Sequence, residues 1–182
     1  MSKRKQARAV DFAVAPWNPV RDVVLPGALA GTLGAFGMAV LACAFSGVLQ
    51  GEPWRPALLV AGLFYRGGTA HGAWAVLLGL IIHFSLAGGL ATGFALLLPR
   101  RGTAVAALCL GVLYGMGLWA VMFRLMVPFA SPPLSREAPA AMLLLLHLAF
   151  GAALGTVPAL RDVITRLDRL RRQLRALKAA PT

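Results

Sequence analysis

Four uninterrupted apolar stretches, residues 24–49, 72–98, 103–127 and 139–160, constrain this chain more than any other feature. Each exceeds the roughly 20 residues that a helix needs to cross a hydrocarbon core of about 30 Å. Of all the Lys, Arg, Asp and Glu residues, Arg124 alone falls inside them. Backbone in lipid has no water to bond, so spanning segments are helices or closed barrels. A barrel needs alternating strands of about 10 residues, and none occur. The expected fold class is therefore all-α: an integral membrane four-helix bundle followed by a C-terminal cytoplasmic amphipathic helix. With 59% hydrophobic and 13% charged residues, against about 45–50% and about 25% in soluble domains, the composition excludes a soluble domain. It also excludes disorder.

The basic residues set the expected orientation. Lys3, Arg4, Lys5, Arg8 and Arg21 precede the first span, and Arg100 and Arg101 lie between spans two and three. Arg161, Arg166, Arg169, Arg171, Arg172, Arg175 and Lys178 follow the fourth span. These 14 fall on one side, against Arg55, Arg66, Arg124 and Arg136 on the other. A basic N-tail (1–23), a bundle (24–160) and a basic C-tail (161–182) follow, with both termini cytoplasmic. The net charge of +12 thus reads as topology, and no nucleic-acid partner is expected. The Ala-, Leu- and Arg-rich composition points to a bacterial inner membrane, since outer-membrane proteins are barrels. The first apolar run is too long for a cleaved signal.

Spans two and four align on their histidines: Ile81-Ile82-His83-Phe84 over Leu145-Leu146-His147-Leu148, then Leu90-Ala91-Thr92 over Leu154-Gly155-Thr156. Spans one and three align through Phe36-Gly37-Met38 over Tyr114-Gly115-Met116. The pattern predicts two tandem helical hairpins in parallel repeat. Small residues four apart allow close helix approach. Gly27/Gly31, Gly89/Gly93, Gly111/Gly115 and Gly151/Gly155 supply one such pair per span.

Between spans one and two, residues 53–66 are apolar but too short to cross, which suits an interfacial or re-entrant segment. Trp54 and Tyr65 suit the headgroup level, with Arg55 and Arg66 reaching water. In the C-tail, Ile164, Leu167, Leu170, Leu174 and Leu177 fall at helical spacing with arginines, including Arg169 and Arg172, around them. Such a face lies on anionic lipid or packs on a partner helix through a 3-4-3 leucine seam.

Intramembrane polar groups usually face a bundle interior. His83 and His147 are the candidates, with three readings. One is a packing role through hydrogen bonds to neighbouring groups. Another is bis-histidine ligation of a b-type haem. The third is contact with a proton or ligand. Arg124, near the outer end of span three, snorkels to the interface or pairs with a phosphate or carboxylate. Glu52 and Glu137 are an acid pair placed to meet on the outer face. Cys43 and Cys109 sit mid-span as packing residues, and no cysteine or histidine spacing suggests zinc. Nor does any catalytic motif occur.

The leading expectation is a non-catalytic multi-pass protein, an accessory or structural subunit of a larger membrane complex such as a respiratory or other energy-converting assembly. Its partners would be the bilayer, anionic lipid at the C-tail and other membrane subunits. The alternatives are a haem electron-transfer protein, a small oligomeric transporter or channel, and a membrane anchor acting through its tail.

Overall fold

The computed structural model describes residues 17–65, 71–130, 134 and 137–179. Residues 1–16, which hold four of the N-terminal basic residues, and Arg66 and Arg136 lie outside the described residues. All regular secondary structure among the described residues is helical. The first span opens with a π-helical turn, Val20–Val24, and continues as α1 (Leu25–Gln50). A short helix α2 (Arg55–Ala61) follows, then α3 (Gly72–Leu97), α4 (Ala104–Val121), α5 (Ala140–Leu154) and α6 (Val157–Ala179). A second π-helical turn, Met122–Met126, extends α4 into Val127–Ala130.

Local chemistry sets these boundaries. Gly51, at φ 73°, ends α1 in the left-handed conformation that glycine adopts freely. The extended residue Leu98, placed before Pro99, ends α3. The Thr103 side chain accepts from the Ala106 N–H at 3.1 Å and starts α4. Between α5 and α6 the amides of Gly155 and Thr156 bond three residues back, to Ala152 and Ala153. Pro158 has no N–H to restore the lost α-helical bond. Helix nevertheless resumes, so the fourth apolar segment and the basic tail form one bent run over Ala140–Ala179.

The interior is made of small residues and the exterior of large ones. Ala30, Ala35, Ala91, Ala95 and Ala107 are fully buried, whereas Leu33, Phe36, Leu113 and Leu145 are more than half exposed. Only 17–28% of each apolar window is buried within the chain. Such a surface needs a hydrocarbon solvent. Four helices are long and apolar enough to cross a membrane.

The spans pack α3–α1–α5–α4, and a looser α4–α3 contact closes the ring. A Cβ on Gly27 would lie 2.6 Å from the Thr92 backbone, and one on Gly31 2.6 Å from the Ala87 carbonyl. Gly111 meets Gly151, and Gly115 meets the His147 carbonyl, in comparable backbone contact. Gly155 lies against Leu108. Three of the four expected glycine pairs thus lie at crossings. The pair Gly89/Gly93 does not: a Cβ on Gly89 would meet nothing, and one on Gly93 only Tyr114 Oη at 3.9 Å. In α3 the contacts fall instead on Ala87, Ala91 and Thr92, because residue 89 is turned about 200° from residue 87 around the helix. Where α3 and α4 stand further apart, Tyr114 Oη donates to the Leu90 carbonyl at 3.0 Å, and its ring lies 5.4 Å from that of Phe94.

All these crossings lie toward one end of the bundle, where residues 17–24, the 98–103 turn and α6 meet. We call this the basic end and the opposite one, which carries α2, the far end. Beyond the Gly115–His147 contact toward the far end, no glycine among the described residues joins two spans closely. Helix α2 wedges in against α3, with Ala57 in backbone contact with Gly79. Gly79 is about 10 Å from the far end of α3 at 1.5 Å per residue. Ala57, Leu59 and Ala61 are buried.

Candidate functional site

A cavity of about 200 Å³, partly open and mostly apolar, lies in the far half. All four spans and α2 contribute to its wall. Met38, Phe45, Trp119, Phe123 and Met142 give it bulk, and His83 and His147 both line it. Trp119 and Phe123, one turn apart on α4, are stacked with centroids 5.8 Å apart and planes 9° from parallel. Cys43 also lines the cavity, while Cys109 is exposed on the surface of α4.

Each histidine is tied to a backbone carbonyl. His83 Nε2 lies 3.2 Å from the Ala35 oxygen of α1, so it bridges two spans. His147 Nδ1 lies 2.7 Å from the Leu143 oxygen in its own helix. Thr92, further along the helix that carries His83, donates its hydroxyl to the Gly88 carbonyl. The haem reading does not fit this geometry. His83 Nε2 is committed to Ala35, and a cavity of about 150 Å³ accommodates a single benzene ring. The 200 Å³ available here is far from enough for the four pyrrole rings of a porphyrin.

An ion pair stands at the far rim of the cavity. Arg55 Nε and Nη2 meet the two Glu137 oxygens at 2.8 and 2.7 Å, a bidentate fork joining α2 to the start of the fourth span. The Glu137 carboxylate holds the Arg55 guanidinium above its usual range, against an opposing desolvation. Both acids act on one guanidinium, Glu137 by direct bonds and Glu52 through its charge. Glu137 takes Arg55, and Glu52 offers its backbone oxygen to Ser46 Oγ at 2.8 Å. Arg55, expected to reach water, is turned to a partner 82 residues away.

The basic end carries a second polar cluster, which the sequence did not reveal. Arg161 is only 7% exposed. Its Nε donates to the Asp22 carbonyl at 2.7 Å, Nη1 to Pro99 at 3.0 Å, and Nη2 to Ala95 and Leu98. The guanidinium therefore closes the C-terminal end of α3, whose last carbonyls have no helical partner and carry the negative end of the helix dipole. Asp22, also buried, is held by Arg21 at 2.8 Å and Arg100 at 3.1 Å and accepts from the Asn18 amide. Arg21 reaches Asp168 at 3.6 Å, and Asp168 pairs with Arg172 along α6. Helix begins by Val20, and Arg21, Asp22 and Arg161 belong to the packed protein.

The remaining expected contact residues lie at the surface. Trp54 is 55% exposed, and Tyr65 and Arg124 are exposed as well. Arg124 sits in the π-helical turn of α4. On α6, Leu167, Leu170, Leu174 and Leu177 are 52–73% exposed, with Arg169 and Arg172 exposed beside them. The cavity and the Arg161 cluster each join residues far apart in the chain. A lone carboxylate at the foot of an apolar run, Asp22, and the first arginine beyond the last run were the available signals. No protein-family model, curated protein or solved structure matches the chain.

Proposed function

We propose that the chain is a non-catalytic multi-pass protein of the bacterial inner membrane, with both termini cytoplasmic, serving as an accessory subunit of a larger membrane complex. A respiratory or other energy-converting assembly is the host class that this reading favours. The observation that carries it is the uncovered leucine row of α6. Four leucines at 3-4-3 spacing are each more than half exposed, on a helix whose base is fastened to the bundle through Arg161. Burying a leucine fully contributes about 1.5–3 kcal/mol, so covering half of four such side chains is worth several kcal/mol. A partner helix supplies that cover in the manner of a coiled-coil seam. The exposed Arg169 and Arg175 beside the row then face acidic partner residues or anionic headgroups.

The tandem-hairpin reading belongs with this proposal. It gains support from the matching crossings of α1 on α3 and α4 on α5. The contacts pair Gly31 with Gly111 as the residues facing Ala87 and Gly151, two residues away from the alignment that pairs Gly37 with Gly115. In this shifted register Gly37 pairs with Gly117, and a Cβ on either would meet nothing.

The test is affinity capture of the full chain from membranes in a mild detergent, with mass spectrometry of what is retained. Stoichiometric membrane subunits are expected with the wild type. They should be lost when Leu167, Leu170, Leu174 and Leu177 are all changed to Ser. Recovery of the chain alone at every detergent strength refutes the accessory role. Retention of the same partners by the leucine variant refutes the part assigned to α6.

A further inference from the structure

Besides Cys43, Ser46, Gln50 and the Arg55–Glu137 pair, the cavity wall carries three polar side chains, His83, His147 and Trp119. Carbonyl oxygens only accept, so the imidazole nitrogens facing Ala35 and Leu143 carry the protons. A neutral imidazole has one N–H. The other nitrogens, His83 Nδ1 and His147 Nε2, are therefore acceptors. Trp119 adds a single donor, Nε1, which is buried and has no partner among the described residues. The Arg55 fork is occupied by Glu137, so among the described residues no unpaired cation lines the wall to hold a carboxylate or phosphate. The polar complement of this set is a neutral head that donates two O–H groups and accepts one N–H.

Size and shape narrow the choice. A void of about 150 Å³ accommodates benzene, and this one, at about 200 Å³, takes one six-membered ring with small substituents. The stacked Trp119 and Phe123 rings give a flat patch of wall. The cavity is partly open, which leaves an apolar tail a way into the bilayer. We propose that this cavity binds the quinol form of a membrane-dissolved isoprenoid quinone, with its hydroxyls donating to His83 and His147 and one ring oxygen accepting from Trp119. The oxidised ring offers acceptors alone and meets two nitrogen lone pairs, so it binds more weakly. The inference concerns binding and is independent of the contacts made by α6.

The test titrates the full-length protein in lipid nanodiscs, without oxygen, with decylubiquinol, decylubiquinone and oleate. Decylubiquinol is expected to bind at least tenfold more tightly than decylubiquinone, since two hydrogen bonds separate them and each is worth up to about tenfold. His147→Phe should weaken decylubiquinol about tenfold and narrow the gap between the two redox forms. Ala42→Leu fills cavity space without touching a polar group and should abolish binding of both forms. That variant carries the test even if His147→Phe does not fold. Equal binding of the two forms, tighter binding of oleate, absence of decylubiquinol binding, or full affinity in Ala42→Leu each overturns the proposal.

Discussion

Replacing Arg161 by Lys is a sharp probe of the basic end, because it keeps the charge and its burial and removes only the fork. The guanidinium bonds the carbonyls of Asp22, Ala95, Leu98 and Pro99 with three nitrogens. A lysine ammonium is a single point with three donors and no fixed plane, so it reaches about two of these four oxygens. Pro99 is exposed, and water replaces that bond. The net loss is one to two charge-assisted hydrogen bonds at about 1.5–3 kcal/mol each, or about 3 kcal/mol. Arg166, exposed and five residues further along α6, is the matched control. Its change to Lys should stay within about 0.5 kcal/mol, as for ordinary surface positions. Both variants are compared with wild type by reversible unfolding in mixed micelles of dodecyl sulfate and a mild detergent, followed by circular dichroism. If Arg161→Lys unfolds within 1 kcal/mol of wild type, or no differently from Arg166→Lys, the guanidinium is not a clamp, and the reasoning from its four carbonyls fails.

Glycine substitutions should separate crossings from bystanders. Gly111→Val, with its Cβ driven into Gly151, should cost at least about 2 kcal/mol in the same unfolding assay, whereas Gly117→Ala, facing open space, should gain up to about 1 kcal/mol from helix propensity. Equal effects would remove the crossing argument. The Arg55–Glu137 pair is about one-third exposed, so a double-mutant cycle to Ala should give a coupling of about 1 kcal/mol, reduced by salt; a coupling of zero would mean that the fork does not tie α2 to the fourth span. Tyr114→Phe removes the one hydroxyl bond across the loose α3–α4 seam and should cost about 1 kcal/mol. An unchanged unfolding free energy would show that packing against Phe94 alone holds that seam.

The spans were legible because a helix in lipid must be long and apolar, a property of each segment by itself. The expected 24–49 and 72–98 end within a residue or so of Leu25–Gln50 and Gly72–Leu97. The faces were less legible. Spacing alone pairs Gly89 with Gly93 as readily as Ala87 with Ala91, and only the neighbouring helix decides between them. The polar clusters were hidden for a further reason: each is assembled from distant positions. Arg55 and Glu137 are 82 residues apart, and Arg161 and Asp22 are 139 apart. Read along the chain, Arg161 is simply the first charge of a basic tail. The cavity escaped notice because its wall is assembled from all four spans and α2, which no single span records. The two histidines stood out as rare polar groups in lipid, yet their carbonyl partners, Ala35 and Leu143, are backbone groups that no side-chain pattern marks.

Arg161 also sets a timetable for synthesis. It caps carbonyls that leave the ribosome 62 residues earlier, those at Pro99 and the end of α3. At about 5–20 residues per second, that interval lasts roughly 3–12 s. Throughout it the finished half of the protein holds its last helical turn and Asp22 without their guanidinium. A nascent chain within this interval therefore leaves those carbonyls to water alone, and the first hairpin reaches its final polar closure only when the last helix arrives.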